Sequence, residues 1–206
     1  MTGREPRALL AAGAVALVVS GVAPHDRLTW VLEALPVLIA GPLLVATARR
    51  FPLTPLAYRL IFVHALILLT GAHYTYAEVP IGDWVADAFG LARNPYDRLG
   101  HFAQGFVPAV VAREILIRRT PVRSGKWLVW LVLCVCLAIS AAYEIFEWWT
   151  ALIGGATADA FLGTQGDQWD TQWDMLMALV GAAAAQALLG RVHDRQIARL
   201  EEHSHG

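Results

Sequence analysis

Asp97 and His101 stand four residues apart in an otherwise apolar stretch, a spacing that stacks both side chains on one face of a helix. Glu144 and Glu147 share a face in the same way, just ahead of Trp148 and Trp149, and Asp167, Asp170 and Asp174 follow at intervals of three and four. An ionised carboxylate inside hydrocarbon costs roughly 2.5 to 3.5 kcal/mol on insertion scales, so several together need cations, arginine, histidine or shared protons close by. Arg27 and Arg98 are the basic residues conveniently placed to help, too few for about seven carboxylates, which leaves a bound cation or carboxyls that keep their protons. Oxygen donors with one or two imidazoles suit Mg, Mn or Zn better than a soft metal, because no thiolate or thioether is near. Asp97, His101, Asp170 and Asp174 are the expected ligands of such a divalent cation. Glu144 and Glu147 are then the expected general bases toward a metal-activated water, and Arg98 and His73 the expected contacts to substrate. For His73 and His25 the plainer role is a hydrogen-bonded residue at a helix interface.

The elements that must hold these residues are membrane helices. Of 206 residues, 57% are hydrophobic and 16% charged, a balance that excludes a disordered, collagenous or ordinary soluble enzyme chain. Stretches near the ~20-residue span length follow one another: Ala8 to Pro24, Leu28 to Ala48, Leu56 to Ala77, Asp97 to Ile117, Trp127 to Ile153 and Thr171 to Gly190. The fold class is therefore an all-α polytopic bundle of about six spans. One transmembrane domain is expected over 1–190, and a polar, solvated cytoplasmic tail carrying His193, His203 and His205 over 191–206. The first stretch also has the small residues Gly21 and Ala23 of a secretory signal, but Pro24 is a poor residue to follow a cut. Cys134 and Cys136 fall on different helix faces and suggest neither disulfide nor thiolate metal site. Between Val79 and Tyr96, Ile81, Trp84, Val85 and Ala88 recur at helical spacing, with Asp83 and Asp87 opposite, as in a short helix lying along the interface. That segment is read as a cover over the bundle end, with a lid as the alternative.

Orientation follows from the Lys/Arg bias. With both termini cytoplasmic, thirteen of sixteen basic residues lie inside, and only Arg27, Arg93 and Arg98 lie outside. Twelve of seventeen acids take the other side, Asp159 and Glu33 among them, at the level of Trp30, Trp84, Trp148, Trp149, Trp169 and Trp173. Membrane lipid is thus the surrounding partner, and no nucleic acid is expected.

The runs Ala23-Pro24-His25-Asp26-Arg27, Gly71-Ala72-His73-Tyr74-Thr75-Tyr76-Ala77-Glu78-Val79-Pro80, Tyr96-Asp97-Arg98-Leu99-Gly100-His101-Phe102-Ala103-Gln104-Gly105-Phe106 and Gly163-Thr164-Gln165-Gly166-Asp167-Gln168-Trp169-Asp170-Thr171-Gln172-Trp173-Asp174-Met175 resemble the YjdF family of bacterial inner-membrane proteins over nearly the whole chain. The resemblance implies a multi-pass inner-membrane protein without an assigned activity. A looser similarity, over the last three spans, is to the VanZ-like family and its Asp-Lys-x-x-His-Phe, Glu and Asp-x-x-x-Asn elements. The counterparts are Asp97-Arg98-x-x-His101-Phe102, Glu144 and Asp170-x-x-x-Asp174, with Asp174 adding a charge where that pattern has Asn. This similarity implies cell-envelope chemistry or glycopeptide response without specifying a reaction.

Three functions remain open at this stage. One is an envelope enzyme performing metal-dependent hydrolysis or group transfer on a lipid-linked substrate at the outer leaflet. Another is a non-catalytic assembly or stress-response protein, in which the acids and histidines form an interhelical hydrogen-bond network. The last is an ion or solute carrier, disfavoured by ionisable residues at one face instead of the midplane and by the absence of internal duplication.

Overall fold

The computed structural model describes residues 3–154 and 163–204; Asp159 and His205 lie outside them. Regular structure among these residues is helical: α1 (Arg4–Ser20), α2 (Arg27–Thr47), α3 (Pro55–Tyr74), a 3₁₀ turn at Tyr76–Glu78, α4 (Pro80–Phe89), α5 (Tyr96–Arg119), α6 (Lys126–Gly154) and α7 (Asp170–Ser204). Helix starts follow their capping chemistry. Asp26 precedes α2 and accepts a 2.7 Å hydrogen bond from the Thr29 backbone N–H, which holds its carboxyl below the usual range. The sign is that of a lowered carboxylate, so the cap is intact at neutral pH and lost only in acid. Thr54 caps α3 ahead of Pro55, whose missing N–H is harmless in a first turn.

By length and composition α2, α3, α6 and α7 can each cross a membrane. At 17 residues α1 sits at the short end of the spanning range, and α5 carries Asp97, Arg98, Arg113, Glu114, Arg118 and Arg119 within its 24 residues. Burial explains the difference. The polar α5 is the central helix, packed against α3, α6 and α7, while α2 and α6 turn Val31, Ile39, Leu43, Trp130, Ile139 and Leu152 outward. An exposed apolar surface of this extent is a lipid-facing surface, since in water it would drive aggregation.

The tightest crossing joins α5 to α7. A Cβ added at Gly105 would overlap the carbonyl of Ala178, and one at Gly181 the carbonyl of Phe102, so both glycines are required for the backbones to approach. Small residues at such crossings supply the dispersion contacts that associate helices in lipid, where the hydrophobic effect gives no help.

Where α5 ends, Glu114 is fully buried and fully used. It accepts from the Thr54 N–H at 3.0 Å, the Thr54 hydroxyl at 2.8 Å and Arg118 Nη1 at 2.6 Å, and faces His193 Nε2 at 3.0 Å. Arg113 pairs with Asp194 at 2.7 Å, and Gln196 Oε1 accepts from the Leu56 N–H at 2.9 Å. The last helix therefore continues through Ser204 beyond the span end expected at Gly190, and the solvated character expected of 191–206 does not hold for His193, 1% exposed, or for Ile197. The sequence pattern turns polar here because α7 docks on buried polar partners.

The short helix expected between Val79 and Tyr96 is α4, opened by Pro80 and closed by Gly90 in the left-handed region. Ile81, Trp84, Val85 and Phe89 are exposed along it, an apolar face suited to a membrane interface.

Gly181→Leu is expected to cost at least about 3 kcal/mol by forcing α7 off α5. Gly190→Ala, at a position with open space around it, should be neutral or gain up to ~1 kcal/mol, with thermal unfolding in detergent as the measurement.

Candidate functional site

At the opposite end of the bundle, where α5 begins, a buried asparagine locks three segments together. Asn94 and Gln165 exchange hydrogen bonds, Asn94 N–H to Gln165 Oε1 at 2.9 Å and Gln165 Nε2 to Asn94 O at 3.1 Å. The Asn94 amide also donates to Val79 O at 3.0 Å and Asp83 Oδ1 at 2.8 Å, and its Oδ1 accepts the Tyr96 N–H at 3.0 Å. This joint holds the start of α4, the start of α5 and the segment before α7 in one arrangement. It delivers the neighbouring Arg93 to the acids.

Arg93 and Arg98 form the outer layer of the site. Arg93 bonds Asp170 through Nη1, reaches Asp97 Oδ2 at 3.5 Å and lies against the carbonyls of Gly163 and Thr164. Arg98 meets Asp167 at 2.9 Å, Asp170 at 3.4 Å and Asp174 at 3.3 Å, and its guanidinium lies 5.5 Å from the Trp173 ring centre. The Trp169 backbone N–H, together with Arg98, holds the half-buried Asp167 carboxyl below its usual range. The basic partners are thus Arg93 and Arg98, not Arg27, which stays exposed at the start of α2. Arg93 stands four residues before Asp97, but it lies ahead of α5, where that spacing does not set a shared helix face, so its pairing with Asp97 and Asp170 shows only in the fold.

The inner layer is buried. Asp97, His101 and Asp174 offer ligand atoms that all lie within 4.8 Å of one another. Three donors on one tetrahedral metal at about 2.0–2.2 Å stand about 3.3–3.6 Å apart, so holding an ion would draw the three side chains together by up to about 1 Å. Gln104 Oε1 lies 3.0 Å from His101 Nδ1 and, as an acceptor, fixes the proton there, leaving Nε2 toward Asp97 at 3.6 Å and Glu144 Oε1 at 3.7 Å. A ring nitrogen oriented this way by a second residue is the usual arrangement of a ligating histidine.

The expected residues divide accordingly. Asp97, His101, Asp174 and Glu144 come together. Asp170 faces outward to the arginines, and Arg98 is occupied by three aspartates. Glu147 is not in direct contact with the inner group; it lines a cavity beside it. His73 is not brought to the site: its Nδ1 donates to the Ser20 carbonyl at 2.9 Å and its own carbonyl accepts the His25 N–H, so it joins α1, α2 and α3. His25 pairs with Glu78 at 3.1 Å.

A half-open cavity of about 570 Å³ lies between α2, α3, α5 and α6, within the usual range for small-molecule pockets. Its polar end is formed by Glu33, Tyr76, Asp97, His101, Tyr143 and Glu147, and below these the lining is almost wholly apolar, down to Leu44 and Leu116. Pro36 in α2 and Pro108 in α5 both line it, each removing a helical hydrogen bond at its wall. Tyr76 is held by shape, because a Cβ on Gly100 would come within 2.7 Å of its ring and one on Gly71 would also overlap it. Glu33, Tyr76, Gln104 and Tyr143 escape a search by spacing. For Glu33 a signal existed: it is the sole charge within Leu28 to Ala48.

Arg93→Gln should cost about 3 kcal/mol by leaving Asp97 buried without its arginine and Asp170 with only the more distant Arg98. Adding Asp170→Asn should restore most of that loss, a double-mutant cycle read by thermal unfolding.

Residues 5–195 match the family described as "Predicted membrane protein (DUF2238)". The chain is 60% identical over 183 residues to the inner membrane protein YjdF of Escherichia coli (strain K12), covering 89% of this chain and 88% of the relative. No solved structure matches. The buried Asn94 joint, the paired arginines and the Asp97–His101 turn all fall within this shared length, and the resemblance read from the motifs is borne out: the protein belongs to the DUF2238 family of membrane proteins, with YjdF as a relative.

Proposed function

We propose that this protein is a bacterial inner-membrane enzyme of six spans with cytoplasmic termini, acting at the outer leaflet on an amphipathic, lipid-linked envelope substrate by metal-dependent hydrolysis or group transfer. The observation that carries this reading is the continuity between the Asp97–His101–Asp174 trio and the apolar cavity: a tail lying between α2 and α6 would bring its polar group against the trio. Asp97, His101 and Asp174 would hold Mg, Mn or Zn, which supplies Lewis acidity. Asp170 joins that set only by leaving Arg93. Glu144, beside His101, takes a proton from water or a substrate hydroxyl, and Glu147 stands further along the cavity wall. Arg93 and Arg98 orient the aspartates and are already engaged by them.

A non-catalytic assembly role is the second reading, favoured by how completely Arg93 and Arg98 pair with Asp167, Asp170 and Asp174.

Elemental analysis of protein purified in detergent should return one divalent ion per chain. Asp97→Asn, His101→Ala and Asp174→Ala should fold yet lose it. Stoichiometric metal in all three variants would refute the site. A wild-type protein without metal, whose variants merely melt lower, would support the assembly role.

A further inference from the structure

Glu33 is 3% exposed, lines the cavity from α2, and has no hydrogen-bond partner for its Oε2 among the described residues. The Tyr76 backbone N–H donates to the Glu33 carboxyl, and Tyr143 and Asp97 are close enough to interact with it electrostatically. Among the described residues no lysine or arginine lines the cavity, whereas Glu33, Asp97 and Glu147 do. Arg93 and Arg98 are held on the far side of Asp97 by Asp167, Asp170, Asp174 and the carbonyls of Gly163 and Thr164.

From this asymmetry we infer that the cavity binds an amphipathic monovalent cation, an ammonium-type group seated against Glu33 beside the rings of Tyr76 and Tyr143, with its apolar remainder along Pro36, Leu44 and Leu116. A neutral apolar ligand would leave the Glu33 oxygen without a partner, at a cost of roughly 1–3 kcal/mol. An anion would find no lysine or arginine, and the histidine at that end, His101, is already faced by Asp97 and Glu144. A divalent metal needs more oxygen donors than these walls offer around Glu33. A monocation on an apolar body satisfies the carboxylate, gains from the negative faces of both tyrosine rings, and buries its tail. This inference shares the cavity with the proposed function but does not use the metal trio, so the two fail separately.

The test is equilibrium binding of tetraphenylphosphonium and of its same-shaped anion tetraphenylborate to the full chain, with and without EDTA. The expected result is saturable binding of the phosphonium that persists in EDTA, no competition by tetraphenylborate, and a loss of affinity of about tenfold or more in Glu33→Gln. Glu33→Asp, which keeps the charge, should retain the preference and guards against a variant that simply misfolds. Equal binding of both ions, unchanged affinity in Glu33→Gln, or binding abolished by EDTA would overturn the proposal. The ammonium can come from a lipid headgroup or a free amphiphile: competition by phosphatidylethanolamine, and not by phosphatidylglycerol, identifies the lipid.

Discussion

Carboxylates brought together inside a membrane bundle repel one another and lose hydration, and the acidic end of this protein is arranged around that constraint. Asp97, Asp167, Asp170 and Asp174 come from two helices and the segment between α6 and α7, and Arg93 and Arg98 thread between them. Because each guanidinium serves several acids, none of the participating elements can shift alone. The Asn94–Gln165 exchange fixes the loop that carries Arg93, and the close α5–α7 crossing sets the distance between Asp97 and Asp174. Electrostatic neutralisation and helix packing are therefore one problem here. Loosening the crossing would separate the charges, and removing a charge would weaken the reason for the crossing.

The physics of the membrane made much of the fold readable beforehand. Lipid-facing helices must be apolar almost throughout, so α2, α3 and α6 announce themselves, and the acid spacings placed Asp97, His101, Glu144 and Asp174 correctly as neighbours. What stayed hidden was pairing that depends on irregular backbone. Arg93 and Asn94 lie in a segment without periodicity, and their roles appear only once the 163–169 stretch folds over them. The tail departs from its expected solvation for a related reason: polar composition signals solvent only if no buried polar partner exists, and Glu114 is such a partner for His193. His73 illustrates the opposite error, a chemically able side chain placed at the right level but facing the α1 end instead of the acids.

The division of labour among the arginines bears on chemistry. Had Arg93 or Arg98 pointed into the cavity, an anionic headgroup would be the natural ligand. Both are instead turned toward aspartates and backbone carbonyls, which leaves His101 as the residue of mixed character at the boundary between the charged layer and the apolar interior. With Nδ1 committed to Gln104, the imidazole presents a single nitrogen to Asp97 and Glu144. That arrangement suits a proton acceptor or a ligand. It is more than packing demands, since an apolar side chain in its place would fill the same space without burying a polar atom.

Two buried glutamates in this bundle make the most informative comparison. Glu114 has bonds to both oxygens from three separate elements, the pattern of a carboxylate retained to fix structure. Glu33 is almost equally buried and lines the cavity, yet its Oε2 has no hydrogen-bond partner among the described residues. If structure alone governed this position, glutamine or leucine on α2 would serve with less desolvation cost, because α2 has few packing neighbours other than α3. An unsatisfied acid at the head of an apolar cavity is a cost that folding by itself does not explain, and the bound state of the cavity is where compensation for it is to be sought.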